Sequence, residues 1–239
     1  MEMDNNLIPL VGSGEVTRPS AVGAKFDETG KVRTFKGNTI ICNVDHQCDL
    51  YTALIDVHEA LDLSKVKSSF SYLPPESFHM TLFDGLLDQF RQTGIWPLDL
   101  PMHLPFSEVN EIFAERLNNI DIPYYYKMRP VELGFMRGGG AVIYLEPADE
   151  ANRKYLHSAR EKLSTLLKIR KPNHDSYRFH ISLSYLIDWL SPEQATSYFQ
   201  YTNEIFEEFN KKIVDFEIGP PEFCSFDDMY YFKPLLQLG

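Results

Sequence analysis

The spacing of apolar residues changes several times along the chain, and each change predicts a different element. The β-branched run at residues 39–44 is typical of a strand. Apolar residues at helical spacing then predict a helix over 49–61, with Asp49 as a possible cap. Residues 78–83 alternate between apolar and polar as a second strand does, and a further helix is expected to begin at Ser107.

The second part of the chain repeats this order of elements. Strands are predicted at 127–136 and 141–146, a helix at 149–168, and an alternating strand at 179–184. The pair Ser191-Pro192 offers a cap and a proline at the first helical position, so it predicts the start of another helix. The chain is expected to close with three strands, at residues 212–218, 222–226 and 230–232.

The spacing between the repeated elements supports an internal duplication. Thr39 precedes His79 by 40 residues (79 − 39), and Ala141 precedes His180 by 39 (180 − 141). We therefore expect one domain over residues 25–239 with lobes of roughly 25–136 and 137–239, between which strands can be exchanged. Residues 1–24 lack periodicity and contain glycine and proline, which predicts a flexible N-terminal arm.

Composition places the chain among ordinary soluble globular proteins. It is 44% hydrophobic and 24% charged, and no apolar run approaches the ~18 residues of a membrane helix. The first twenty residues have no signal-peptide core, and three cysteines are too few for a disulfide framework. A reducing cytoplasm is the expected location, with no membrane partner. Nothing in the sequence indicates an oligomeric state.

The net charge of −11 argues against an extended nucleic-acid-binding surface, because such surfaces need dense positive charge. A small anion can still bind in a locally basic pocket. Lys168, Arg170, Lys171 and Arg178 precede the histidine at position 180 and could form one. For the first three, a solvated helix end rich in positive charge is an equally good interpretation.

Two short motifs carry the strongest chemical signal. In His79-Met80-Thr81 and in His180-Ile181-Ser182, the strand period of two turns the histidine and the hydroxyl to one face and the apolar residue to the other. A third match, His174-Asp175-Ser176, lies beside a proline and predicts a surface loop. Two strands that each offer an imidazole and a hydroxyl indicate a shared site.

These groups suit the hydrolysis of a cyclic phosphodiester. One imidazole can activate water while the other, as imidazolium, protonates the leaving oxygen. The hydroxyls of Thr81 and Ser182 can bind the non-bridging phosphate oxygens. Since phosphoryl transfer depends mainly on positioning and charge stabilisation, this chemistry requires no metal and no other cofactor. The expected ligand is a small phosphorylated molecule.

Other residues are weaker candidates for substrate binding. Tyr185 and Phe83 could stack on a base or sugar, although aromatic residues at strand ends are equally often core. Asn38 could reach the site, but a turn asparagine is the favoured interpretation. Arg137, beside Gly138-Gly139-Gly140, could close over a phosphate. Arg178 is a further cationic candidate.

The two motifs, 101 residues apart (180 − 79) in duplicated halves, resemble the two-histidine phosphoesterase superfamily. This superfamily includes the RNA 2′-5′ ligase/cyclic phosphodiesterases, and the chain resembles a poorly characterised branch of it over roughly residues 25–235. The resemblance is carried by the two motifs and by the segments around them: Lys25-Phe26, Gly37-Asn38-Thr39, Leu73-Pro74-Pro75-Glu76-Ser77-Phe78, Tyr177-Arg178-Phe179 and Tyr185-Leu186-Ile187. The ligase-like members have an arginine where this chain has Tyr185, which argues against an RNA substrate.

The resemblance implies an α+β (α/β bilobal) fold in which two antiparallel sheets line a V-shaped cleft with the helices outside. It also implies metal-independent phosphodiesterase activity with His79 and His180 as catalytic residues. Two alternatives stay open. The chain could bind a nucleotide or phosphate without turnover, or it could process RNA ends.

Overall fold

The computed structural model describes residues 7–12, 16–136, 138 and 140–239. Within these ranges the helices are α1 (Ile8–Val11), α2 (Asp49–Asp62), α3 (Phe106–Leu117), α4 (Glu150–Leu167) and α5 (Pro192–Lys212). The strands are β1 (Gly37–Asn43), β2 (Phe70–Tyr72), β3 (His79–Leu87), β4 (Tyr126–Phe135), β5 (Ala141–Pro147), β6 (Phe179–Ser182), β7 (Ser184–Leu186), β8 (Phe216–Ile218), β9 (Pro221–Phe226) and β10 (Phe232–Gln237). The predicted α+β class is confirmed.

The helices begin where side chains can satisfy their free backbone amides. The side chain of Asp149 caps α4, and Ser191 forms a capping box with Gln194 at the start of α5. The cap of α2 is Cys48 and not Asp49, which occupies the first turn, where its negative charge favours the helix dipole.

Eight strands of the described chain form one antiparallel sheet in the order β10-β9-β1-β3-β6-β5-β4-β8. The two sheets that the family resemblance implies are therefore joined edge to edge. The junction lies between the two motif strands, β3 and β6, which share the Cα pair Met80 and Ile181. Strands β2 and β7 pair separately.

The two halves of the sheet do not correspond to consecutive halves of the chain. Strands β9 and β10, from the C-terminal end, extend the half that contains β1 and β3. Strand β4, at residues 126–135, belongs to the other half, beside β5. Each half of the sheet thus combines strands from both predicted lobes.

The core lies against the apolar face of the motif strands. Met80, Leu82 and Ile181 are fully buried, and α4 packs against β3, β4 and β5. Since side chains alternate across a strand, burial of these residues leaves the histidines and hydroxyls on the opposite face. Among the described residues, no helix has the length and apolar character of a membrane span.

The prediction of a flexible N-terminal arm is wrong for its described parts, 7–12 and 16–24. Leu10 is fully buried and its carbonyl accepts a hydrogen bond from the amide of Leu190. The indole of Trp189 donates to the carbonyl of Val16, and Ala21 is buried. A few well-placed apolar residues hold this segment on the domain without any periodicity in the sequence.

Candidate functional site

One open cavity, of about 340 Å³, is lined by both histidine motifs. It contains His79, Thr81, His180 and Ser182, all of which are half-buried. The side chains that the sequence analysis grouped together therefore line a common cleft. It lies at the junction of β3 and β6, where the two halves of the sheet meet.

The register of β3 and β6 places the histidine of each motif opposite the hydroxyl residue of the other. Met80 lies opposite Ile181 in an antiparallel pair, so continuation of this register places His79 opposite Ser182 and Thr81 opposite His180. Directly opposed residues in such a pair have Cβ atoms ~5 Å apart, and diagonal neighbours ~7–8 Å apart. A phosphate between the strands would thus meet an imidazole from one motif beside a hydroxyl from the other.

Both imidazoles are held in the same way. Nδ1 of His79 lies 2.7 Å from the carbonyl oxygen of Ser77, and Nδ1 of His180 lies 2.9 Å from that of Arg178. A carbonyl can only accept a hydrogen bond, so Nδ1 carries the proton in each ring. In the neutral form Nε2 is then free to accept a proton, as a general base must.

The surroundings of His79 favour its neutral form. Its ring makes an edge contact with Phe232, with the ring centroids 4.3 Å apart. Burial lowers the pKa of His79 to about 4, and the positive charge of Lys25 and the neighbouring His180 contribute in the same direction.

His180 has more polar surroundings. Burial lowers its pKa also, but the carboxylate of Asp84 acts in the opposite direction and favours the protonated ring. Tyr144 and Tyr177 are aromatic neighbours of His180, with ring centroids 6.1 and 6.2 Å from that of its imidazole. Asp84 is not among the causes that shift the pKa of His79.

A β-bulge in β3 brings Asp84 to the cleft. Ile40 of β1 pairs with Phe83 and the next residue, Ile41, pairs with Thr81, so one extra residue is inserted in β3. The alternation slips at this point: Leu82 and Phe83 are both buried, and Asp84 lines the cavity with the motif residues. The prediction that Phe83 stacks on substrate is wrong, because its ring lies in the core, 3% exposed, near His174.

Two lysines line the cleft, Lys25 and Lys171. Burial lowers the pKa of Lys171, and Asp84 acts against this shift. The other cations of the predicted basic cluster pair with carboxylates outside the cavity: Lys168 with Asp99, Arg170 with Glu161 and Asp175, and Arg178 with Glu132. Only Lys171 of that cluster can serve an anion in the cleft.

Tyr185 lines the cleft, as the sequence analysis proposed, but its hydroxyl is engaged by Lys25, whose Nζ lies 2.9 Å away. Asn38 also lines the cleft, within β1 and not in a turn. Its Oδ1 accepts from the amide of Leu86, and its Nδ2 donates to Asn110. These bonds indicate that Asn38 braces the bulged strand.

The two predicted arginines differ in outcome. Arg178 does not line the cavity: its guanidinium stacks 3.6 Å from the ring centroid of Tyr144 and pairs with Glu132. Its backbone carbonyl, which orients His180, is its contribution to the site. Arg137 lies outside the described residues.

Sequence reasoning missed Lys25, Asp84 and Phe232 as parts of the site. Phe232 and Lys25 are remote from both motifs in sequence, and no local pattern connects them to the cleft. Asp84 follows the first motif by three residues, but strict alternation gives no sign of the bulge that turns it inward.

The third H-x-S triplet belongs to a separate ion-pair cluster. His174 is buried, which contradicts its predicted surface position, and its Nε2 lies 2.9 Å from a carboxylate oxygen of Glu161. Glu161 and Asp175 could hold a cation together with His174, but both carboxylates are paired with Arg170. The guanidinium supplies the positive charge that such a ligand set would otherwise attract.

Comparison with known proteins agrees with this architecture. Residues 25–137 match the model of a family described as 2H-phosphodiest, domain of unknown function (DUF1868). No curated protein matches the chain.

Two solved structures are similar to the chain. The conserved protein of unknown function ATU0111 from Agrobacterium tumefaciens has a TM-score of 0.89 and 25% identity, covering 98% of this chain and 99% of that one. TT0787 of Thermus thermophilus has a TM-score of 0.39 and 13% identity, covering 79% of this chain and 86% of that one, a similarity too distant to support an argument. The matched range contains the first histidine motif, and the second motif lines the same cleft, so the chain is similar to the two-histidine phosphoesterases over residues 25–137.

Proposed function

We propose that the protein is a metal-independent phosphodiesterase that hydrolyses a cyclic phosphodiester of a small nucleotide or nucleotide derivative. The match of residues 25–137 to a two-histidine phosphodiesterase family model suggests phosphodiester hydrolysis. The observation that carries the finer proposal is that His79, Thr81, His180 and Ser182 line one cavity. In that position one imidazole can accept a proton from the attacking water and the other can protonate the leaving oxygen of the same phosphodiester.

We assign His79 as the general base. Its Nδ1 proton is held by the Ser77 carbonyl, and its low pKa keeps Nε2 unprotonated over most of the pH range. A water molecule that donates to Nε2 would be activated for attack on phosphorus.

We assign His180 as the general acid. It is the imidazole beside Asp84, whose negative charge stabilises the imidazolium form. Protonated at Nε2, it would deliver a proton to the departing ribose oxygen as the P–O bond breaks. The water proton taken up by His79 and the proton given by His180 balance, and a second exchange with solvent resets both rings.

The hydroxyls complete the proposed site. Thr81 and Ser182 alternate with the imidazoles across the strand junction and can donate hydrogen bonds to the two non-bridging oxygens. This arrangement would fix the phosphorus between base and acid.

The pH profile tests the assignment of roles. The value of kcat/KM should rise with an apparent pKa of about 4 as His79 loses its proton, and fall again at higher pH as His180 loses its own. The pH optimum is therefore expected on the acid side of neutrality. Activity should be retained in EDTA, because the proposed reaction is metal-independent. A rate that keeps rising above pH 7 would contradict a histidine acid.

A binding module without turnover remains the main competing hypothesis, because the same four groups make a good anion site. Single-turnover assays separate the two hypotheses. Saturable binding of a cyclic nucleotide by calorimetry, with no histidine-dependent product, would favour the binding module.

A further inference from the structure

The motif residues alone leave the cleft without a permanent positive charge. An imidazole is positively charged only while it is protonated, and burial lowers the pKa of both His79 and His180. The hydroxyls of Thr81 and Ser182 are neutral as well. A phosphodiester is anionic, and its transition state spreads that charge over the non-bridging oxygens. A cation close to the imidazoles would stabilise both.

Of the two lysines that line the cleft, Lys25 is the better placed. Burial lowers the pKa of Lys171 and so disfavours its charged form, and Asp84 acts in the opposite direction. In the part of the chain that the structure describes, neither lysine has a carboxylate within ion-pair distance, and the side chain of Lys25 donates a hydrogen bond to the neutral hydroxyl of Tyr185. The Lys25 charge thus remains available to an anion.

The Lys25 side chain is positioned by aromatic rings. Its Nζ lies 4.3 Å from the ring centroid of Tyr185 and 5.4 Å from that of Phe35. Cation–π attraction and the 2.9 Å bond to the Tyr185 hydroxyl hold the ammonium on one side of the cleft. This leaves hydrogens of the ammonium free for a ligand, since an ammonium has three donors.

The Lys25 backbone is fixed too. Its amide donates to the carbonyl of Ala21 and its carbonyl accepts from the amide of Arg33. The next residue, Phe26, is fully buried and packs on Tyr185, with ring centroids 5.3 Å apart. The N-terminal segment therefore presents Lys25 from a rigid base, as a preorganised electrostatic group requires.

The charge of the Lys25 ammonium affects both imidazoles of the site. It lowers the pKa of His79 and of His180, which places its charge near both imidazoles. A phosphate between the two rings would lie within the field of this charge.

We propose that Lys25 is a further catalytic residue, whose ammonium binds a non-bridging oxygen of the phosphodiester and stabilises the charge of the transition state, with Tyr185 as its positioning residue. This inference rests on the proposed function. It gives Tyr185 a different role from the stacking wall that its sequence position suggested.

The test compares Lys25→Met, Lys25→Arg and the control Lys31→Met. Methionine keeps the apolar stem on Phe35 and Tyr185 but removes the charge, and Lys31 is an exposed lysine of the same segment. With a cyclic nucleotide as substrate, Lys25→Met should reduce kcat/KM by on the order of 10²–10³-fold. Lys25→Arg should recover part of this loss, and Lys31→Met should match the wild type.

Two further readouts separate catalysis from a structural role. Removal of the charge should move the acid limb of the kcat/KM profile to higher pH, because Lys25 holds down the pKa of His79. Inorganic phosphate, titrated by calorimetry, should bind Lys25→Met at least several-fold more weakly than Lys31→Met.

The outcomes distinguish this inference from the proposed function. Wild-type turnover with an unchanged kcat/KM in Lys25→Met would overturn the role of Lys25 and leave the phosphodiesterase standing. If the wild type hydrolyses no cyclic phosphodiester, the proposed function fails, and the phosphate titration decides whether Lys25 binds the anion. Equal phosphate affinity in Lys25→Met and Lys31→Met would then also contradict the binding of an anion by Lys25.

Discussion

The first motif strand, β3, and the second, β6, carry the same pattern and hold their histidines by the same backbone contact, yet their surroundings differ. His79 is desolvated against Phe232 of β10, whereas His180 lies beside a carboxylate and two tyrosines. The duplicated halves supply matching geometry. Strand β10, which lies outside the duplicated order of elements, and a bulge within β3 make the two rings chemically unequal. The comparison teaches that the roles are assigned by the neighbours and not by the motifs.

The largest expected effect comes from removal of either imidazole. His79→Ala and His180→Ala should each reduce kcat/KM on a cyclic nucleotide by on the order of 10²–10⁴-fold, because each removes one proton-transfer partner. A phosphodiester that the wild type hydrolyses with p-nitrophenolate as leaving group separates the two roles. That leaving group needs no proton, so it should rescue His180→Ala and not His79→Ala.

The two alanine variants serve as controls for each other, since both lie at the same position in matching strands. Rescue of His79→Ala alone would reverse the assignment. Equal rescue of both would mean that the difference between the two environments has no catalytic consequence.

The hydroxyls should matter less than the imidazoles. Thr81→Ala and Ser182→Ala are each expected to cost about 1.5–3 kcal/mol of transition-state binding, the value of a hydrogen bond to a charged group. The exchanges Thr81→Ser and Ser182→Thr keep the hydroxyl and should retain most of kcat/KM. A loss in these exchanges as large as in the alanine variants would show that packing, and not the hydrogen bond, explains the effect.

The features that the two motif strands share could be predicted from the sequence, but the differences between their surroundings could not. Alternation of apolar and polar residues in 78–83 and 179–184 predicted both strands and the face on which the histidines lie. It failed at Phe83, because a bulge depends on pairing with β1 and leaves no mark in local alternation.

The remaining parts of the site depend on long-range topology. Two strands, β9 and β1, separate β10 from β3 in the sheet, and only that arrangement brings Phe232 to His79. Lys25 belongs to a segment without periodicity that is held by single buried residues such as Phe26. The short pair β2 and β7 also escaped prediction, since three-residue strands carry little pattern.

A smaller effect should separate the two imidazoles electrostatically. Asp84→Asn removes the charge that raises the pKa of His180, so the basic limb of the kcat/KM profile should move to lower pH. At pH 7 the value of kcat/KM should fall, because less of His180 is protonated, but by a smaller factor than in His180→Ala. The acid limb, which reports His79, should stay in place. A profile that shifts on the acid side instead would contradict the proximity of Asp84 to His180.

The smallest expected effect is on stability. The pKa of His79 is lower in the folded protein than in the unfolded chain, so between pH 6.5 and about 4 the unfolded chain binds more protons. The free energy of unfolding should therefore fall as the pH falls through this window. His79→Asn should flatten this dependence more than His180→Asn, because the pKa of His79 falls furthest. Urea titrations at several pH values measure the slope, and an unchanged slope in His79→Asn would contradict the burial of the ring.

The central claim is that the two motifs act on one phosphorus atom, and turnover of cyclic substrates measures it most directly. Nucleoside cyclic phosphates and ADP-ribose cyclic phosphate would be assayed in EDTA with the wild type and with the double variant His79→Ala, His180→Ala. The account predicts hydrolysis of at least one substrate by the wild type, and a loss in the double variant close to that of the more damaging single variant. Equal turnover by the wild type and the double variant would contradict it.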